Sequence, residues 1–168
     1  MGKRRTPRLV AFVVTTLLTL STLAIPARAM PIASAGRASA LTPRPAPVSR
    51  DNRAKVLELI NRSRASHHLG HLRLRVSLSD SAWRHSYRMM KAGRLFHTPN
   101  LAECILSSTN ATRWGENIAS GPSVGGINSA WMGSPVHRQN ILDPRFRRAG
   151  IGVVKSGAHY WITLDLYG

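Results

Sequence analysis

The chain contains one cysteine, Cys104, in 168 residues. A lone thiol forbids any disulfide within the chain and excludes a Cys-based zinc knuckle or iron–sulfur site. Whatever folds here must be held by packing and hydrogen bonds. The material is present, because 43% of the residues are hydrophobic and the length suits one domain. Cys104 itself is expected to act as a small buried hydrophobe, with an intermolecular disulfide as the lesser option.

The 24 Lys and Arg residues outnumber the 7 Asp and Glu, giving a net charge of +17, and their placement divides the chain. Lys3, Arg4, Arg5 and Arg8 precede an apolar run from Leu9 to Ile25, followed by Ala27-Arg28-Ala29. That pattern predicts an export signal over residues 1–29, cleaved after Ala29. The apolar run is near the lower length limit for a membrane span, and its Thr and Ser content favours a cleaved signal. The mature chain is thus expected to be secreted, extracellular and not membrane-spanning. Residues 30–49 are Ala, Pro, Ser and Arg with few large apolar side chains, so they cannot offset chain entropy by burial and read as a flexible linker. The folding unit is then residues 50–168, with 17 basic against 7 acidic side chains.

Within this unit, Val56, Leu59 and Ile60 recur at helical steps, predicting a helix from Asp51, as its N-cap, to about His68, closed by Leu69-Gly70. Leu72, Leu74 and Val76 then alternate with His71, Arg73 and Arg75 as a short extended segment. A second helix opens near Ser77 and Asp80, which resemble a capping box, or with Ser79 as the cap. Its apolar face is Ala82, Trp83, Ser86, Tyr87, Met89 and Met90, its basic face is Arg84, Arg88 and Lys91, and Gly93 is its stop. Short helices are expected over Ala102–Leu106 and Ile127–Met132, and an extended segment over Trp114–Ser120. At the C-terminus, Tyr160, Ile162, Leu164 and Leu166 alternate with Trp161, Thr163, Asp165 and Tyr167. That is the period-two pattern of a strand, and with Gly150–Lys155 and the turn Ser156-Gly157-Ala158 it predicts a hairpin.

Three polar residues sit where element ends would let side chains converge: His97, Glu116 and His137. Two imidazoles and a carboxylate suit a divalent transition metal or acid–base chemistry. The spacing alone does not bring them together. His85 should be a satisfied core histidine, His67, His68 and His71 a solvated helix end, and Asn117 and Asn140 turn residues. Trp83, Trp114, Trp131 and Trp161 read as core or cleft wall. Arg145, Arg147 and Arg148 form the densest basic patch, a candidate for anionic polymers such as wall teichoic acid or for phospholipid head groups or DNA. Aromatic residues are not interleaved with this patch, which disfavours nucleic acid as the partner.

The series Leu59-Ile60-Asn61, Leu69-Gly70-x-Leu72, Ala82-x-x-His85, Met89, Gly93-x-x-x-His97, Gly115-Glu116-Asn117-Ile118-Ala119, Trp131-x-x-Ser134-Pro135-x-His137-Arg138-x-Asn140-Ile141-Leu142 and Gly150-Ile151-Gly152 resembles bacterial members of the CAP superfamily. This group comprises the cysteine-rich secretory, antigen 5 and pathogenesis-related 1 proteins, also called SCP-like. The resemblance covers about residues 53–168. It implies an α+β fold, a three-layer α–β–α sandwich with a central antiparallel sheet. It also implies a shallow cleft lined by two His and, in many members, two acidic residues, of which His97, Glu116 and His137 match three. The second acidic residue has no counterpart, since the connection holds Trp131, Met132, Gly133 and Ser134, and Val136 replaces the Gly common in Ser-Pro-Gly-His. One carboxylate fewer implies weak zinc binding at best, with His97 and His137 as nitrogen ligands, Glu116 as ligand or outer acceptor, and Ser134 orienting His137 or a water. Lipid and sterol binding is described for eukaryotic members of that family while most bacterial ones lack an assigned activity, and the first reading here is a non-enzymatic secreted module that binds a lipid, a cell-wall polymer or a protein. The alternative is a metal-assisted, peptidase-like hydrolase with Glu116 as base.

Overall fold

Four strands in the order β1-β3-β4-β2 form the middle layer: β1 (Arg73–Leu74), β2 (Trp114–Gly121), β3 (Arg148–Ser156) and β4 (His159–Tyr167). The computed structural model describes residues 47–168; the predicted signal and most of the linker lie outside the described residues. β3 and β4 are the predicted hairpin, closed by Gly157-Ala158 with Ser156 opposite His159, and Gly157 takes the left-handed φ of +56° that the tight turn needs. β2 adds antiparallel to β4, and β1 adds parallel to β3, so the sheet is antiparallel except for one short parallel edge.

The alternation in β4 assigns its two faces. Ile162, Leu164 and Leu166 are fully buried in a cluster with Ala149, Ile151 and Val153 of β3 and the apolar faces of α1 (Pro47–Ala65), α4 (Val124–Gly133) and α5 (Pro135–Leu142). The opposite face carries α2 (Val76–Ala92), with α3 (Leu101–Leu106) packing Ile105 against Leu78 and Tyr167. This is the α–β–α sandwich expected from the resemblance. Where α2 crosses β3 the strand presents Gly150 and Gly152, and α2 lies directly on their backbone, with Ser86 Oγ donating to the Gly152 carbonyl at 3.2 Å and hydrogen-bonded to the Thr163 hydroxyl at 2.9 Å. Ser79 Oγ accepts from Ile151 N–H at 3.0 Å on the same seam.

Local departures from the sequence reading have identifiable causes. α1 begins at Pro47 rather than with Asp51 as its cap, taking in the last residues assigned to the linker. It ends at Ala65, with His68 rather than Gly70 in the left-handed region. The fully buried Arg64 guanidinium ties this end down, donating to the carbonyls of Gly70 (2.8 Å), Ile141 (2.7 Å), Asp143 (3.0 Å) and Phe146 (3.2 Å). Val76 belongs to α2, so the extended segment is only two residues long, and Ser77-Asp80 is no capping box: the cap position is Arg75, with no side-chain bond, while Ser79 donates back to the Arg75 carbonyl. Gly93 does close α2, at φ +62°. α4 starts at Val124, three residues before the predicted start, because Ser123 Oγ accepts the Gly126 N–H. α5 had no counterpart in the sequence reading, although Pro135 stands in the first turn, where its missing N–H costs nothing. Among the described residues no helix is long and apolar enough to cross a membrane.

Candidate functional site

The site is built on β2, the sheet edge opposite β1. Three consecutive residues there do three jobs. At Gly115 a Cβ would come within 3.1 Å of Asn140 Oδ1, so the absence of a side chain lets α5 approach. Glu116, on the α2 side, is 7% exposed and faces the 97–98 segment. Asn117, on the α5 side, donates Nδ2 to the His137 carbonyl at 3.0 Å and accepts from Asn140 Nδ2 at 2.9 Å. The two asparagines therefore fasten helix to strand rather than shape a turn.

The segment bearing His97 is held from below by His85. A carbonyl only accepts, so His85 Nε2 carries the proton it donates to Phe96 O at 2.7 Å, and Nδ1 accepts from Arg88 at 3.2 Å. Burial pushes the His85 pKa down and keeps that ring neutral. Phe96 packs edge-on against His85 at 5.1 Å, with the Arg94 guanidinium over its ring. His85 is the satisfied core histidine expected from the sequence, and it also positions the segment that carries His97.

Glu116 accepts from three donors. His97 Nδ1–H donates to Oε2 at 2.5 Å; the Thr98 N–H reaches Oε2 at 3.0 Å and Oε1 at 3.2 Å; and Thr98 Oγ1–H donates to Oε1. The carboxylate fixes the His97 tautomer and, among the described residues, leaves Nε2 as the free nitrogen of a side chain that is 67% exposed. His137 is half-buried on α5, its pKa lowered first by burial and then by its electrostatic interaction with His97, so it is neutral at neutral pH. Ser134 precedes Pro135 at the start of α5 and makes no side-chain capping bond. His97 and Glu116 are joined directly, and His137 stands within electrostatic reach. Among the described residues no three His, Cys, Asp or Glu side chains are gathered to hold a metal ion, and Glu116 already accepts from three donors. The set does not fit a resident zinc with a carboxylate ligand.

A second acid enters from β4. Asp165 pairs directly with Glu116 in the strand register, is 3% exposed, and its Oδ1 has no hydrogen-bond partner. Burial first, and then the Glu116 charge, raise its pKa well above the usual carboxylate value. The sequence signal was an ionisable residue among apolar ones in the last strand; the register that sets it beside Glu116 was not visible there. A raised folded-state pKa means that the folded form holds the proton more tightly than the unfolded chain does, so this group costs stability as pH climbs above about 4 and on through its folded value. The stability of Asp165→Asn relative to wild type is therefore expected to rise with pH from about 4 upward in denaturant titrations. A difference that stays flat would show Asp165 ionised in the fold.

The basic loop is rearranged relative to the sequence expectation. Arg145 is bound to Asp143 through Nε (2.8 Å) and Nη2 (2.7 Å), an ion pair that pulls the Asp143 pKa down to about 2. Arg147 and Arg148 instead share a cavity of about 330 Å³ with His71 and Arg73, because β1 pairs Arg73 with Arg148. His67 is not free either: Nδ1 donates to Ser63 O at 2.8 Å and Nε2 accepts from Arg138 at 2.9 Å. Of the tryptophans, Trp83 and Trp131 are buried and Trp114 is 40% exposed; Cys104 is half-buried.

A family model described as CAP, cysteine-rich secretory protein family, matches residues 57–166. The uncharacterized protein YkwD of Bacillus subtilis (strain 168) is 34% identical over 135 residues, covering 75% of this chain and 51% of that protein. The chain thus spans about half the length of this curated relative. Among solved structures, an extracellular protein containing a SCP domain from Bacillus anthracis str. Ames superposes with a TM-score of 0.62 at 25% identity, over 75% of this chain and 45% of that one. An outer surface protein of Borrelia burgdorferi superposes with a TM-score of 0.64 at 16% identity, over 70% and 92% of the two chains, a likeness of fold.

Proposed function

This chain belongs to the cysteine-rich secretory protein (CAP) family, and from that premise we propose that it works outside the cell as a non-catalytic binding module. Its recognition surfaces are the His97–His137 cleft and the basic face of His71, Arg73, Arg147 and Arg148. The observation that carries this reading is the engagement of the buried Glu116 by His97 and Thr98. A general base needs a lone pair aimed at a substrate proton. Glu116 is buried and accepts from Thr98 and His97, so it clamps the loop that presents an imidazole. The extracellular relative from Bacillus anthracis supports the compartment.

The basic face suits the phosphates of a wall polymer, because the described residues that line its cavity are four cationic or titratable side chains without an acid among them. Retention of the protein on cell walls bearing teichoic acid tests this. Arg147→Ala with Arg148→Ala is expected to lower retention at least tenfold at low salt, and Arg145→Ala to leave it within twofold, since Asp143 already neutralises Arg145. Equal losses in both would overturn the assignment of this face.

A further inference from the structure

The outer face of α2 carries a line of cations that neither the cleft nor the basic face uses. Arg84, Arg88 and Lys91 are all exposed, and at i, i+4 and i+7 they share one side of the helix, away from the buried Ala82, His85, Ser86 and Met89. Their steps along the helix axis are roughly 6 Å and 4.5 Å. Arg94, also exposed, follows the Gly93 stop and extends the line. Asp80 is the one acid in α2, and its ion pair is with Arg53 of α1. Among the described residues none of the four cations is ion-paired with a carboxylate.

Two of these cations are held in place by the protein itself. Arg88 Nη2 donates to His85 Nδ1 at 3.2 Å, and the Arg94 guanidinium lies 5.1 Å from the centroid of the Phe96 ring. A guanidinium that is already ordered loses little further freedom on binding. Tyr87, half-buried and stacked on Trp83 with ring centroids 5.6 Å apart, is three residues from Arg84 and four from Lys91, so an aromatic ring flanks the line. Unlike His71, Arg73, Arg147 and Arg148, which converge on one cavity, these cations stand singly, at steps close to the length of one sugar ring. Such an arrangement holds a free ion weakly and a chain of anions through several contacts at once. A uronic acid polymer has the matching form, with a carboxylate on every sugar for the cations and a ring face for Tyr87. We propose that the outer face of α2 binds a linear polyuronate, its successive carboxylates on Arg84, Arg88, Lys91 and Arg94.

This face shares no residue with the His97–His137 cleft or with the basic face, so its test is separate from theirs. Polygalacturonate is titrated into the full chain by calorimetry at low salt. It is expected to bind about tenfold or more tightly than its methyl-esterified form, which keeps the sugars without the charge, and than monomeric galacturonate, which lacks the chain. It should also bind more tightly than an oligothymidylate with the same number of charges, whose phosphates are spaced more widely. Arg84→Gln, Arg88→Gln and Lys91→Gln combined should weaken binding about tenfold, and on an exposed face they leave the fold intact. Lys55→Gln, Arg62→Gln and Arg145→Gln combined remove the same charge from side chains already paired with Glu58 and Asp143, and should leave binding within about twofold. Tyr87→Ala should weaken binding severalfold, and Tyr87→Phe should not. No binding by the wild type, equal affinity for the methyl ester or the oligothymidylate, equal losses in the two triple variants, or an unchanged affinity in Tyr87→Ala would each overturn the proposal.

Discussion

Alanine in place of Gly152 is expected to destabilise the fold severely and lower its thermal midpoint by many degrees. A Cβ built there would lie 2.1 Å from the Ala82 carbonyl carbon, 2.2 Å from its oxygen and 2.3 Å from Trp83 N. These are backbone atoms of α2, so no side-chain rotation relieves them. The backbone of Gly152 lies outside the left-handed region, and the cost is therefore one of space rather than of dihedral strain. To admit a methyl group α2 must move outward by about 1 Å, more than a close-packed core tolerates. The same movement breaks the Ser86–Thr163 and Ser79–Ile151 bonds and opens the burial of Ala82, Trp83 and Met89. The combined loss should exceed about 4 kcal/mol, a large part of the 5–15 kcal/mol that holds a typical domain together. Thermal unfolding checks it: a midpoint within a few degrees of wild type would show that α2 does not rest on the strand. Gly157→Ala is the control, since no atom lies within 4 Å of its Cβ and only its φ of +56° is penalised, at about 1 kcal/mol.

Arg64→Met should cost about 3–5 kcal/mol. Methionine fills much of the same volume but offers no donor, and the carbonyls of Gly70, Ile141, Asp143 and Phe146 then lose a shared partner in a region closed to water. Those four carbonyls come from the end of α1, the end of α5 and the turn before β3, so one side chain fastens three pieces of chain. Lysine should not rescue the loss, because three donors on one nitrogen cannot span positions set by a planar fork. Denaturant titration of the two variants decides it, and a loss under 1 kcal/mol in either would mean that water replaces the guanidinium.

The two positions also mark how far the sequence could be read. The C-terminal hairpin was legible because strand periodicity depends on residues i and i+2, which the sequence lists together. α2 was legible through its broad apolar face and its Gly93 stop. Val76 was misassigned because three alternating positions, Leu72, Leu74 and Val76, satisfy a strand pattern as easily as the approach to a helix. α5 was missed because Ser134-Pro135 reads as a break, although proline is also at home in a first helical turn. At the site, residue spacing never brought His97, Glu116 and His137 together; the resemblance to a family did. Thr98, Asp165 and Arg64 escaped altogether, since their partners are a buried carboxylate, a register position and backbone carbonyls, none of which has a sequence signature.

The account turns on Glu116 being a clamp rather than a base, and hydrolysis of a mixed peptide library with and without added zinc measures this directly. The wild-type chain is expected to show no turnover above background in either condition, and so are His97→Ala, Glu116→Gln and His137→Ala. Zinc-dependent turnover by the wild type that is lost in all three variants would contradict the account and make the cleft an active site.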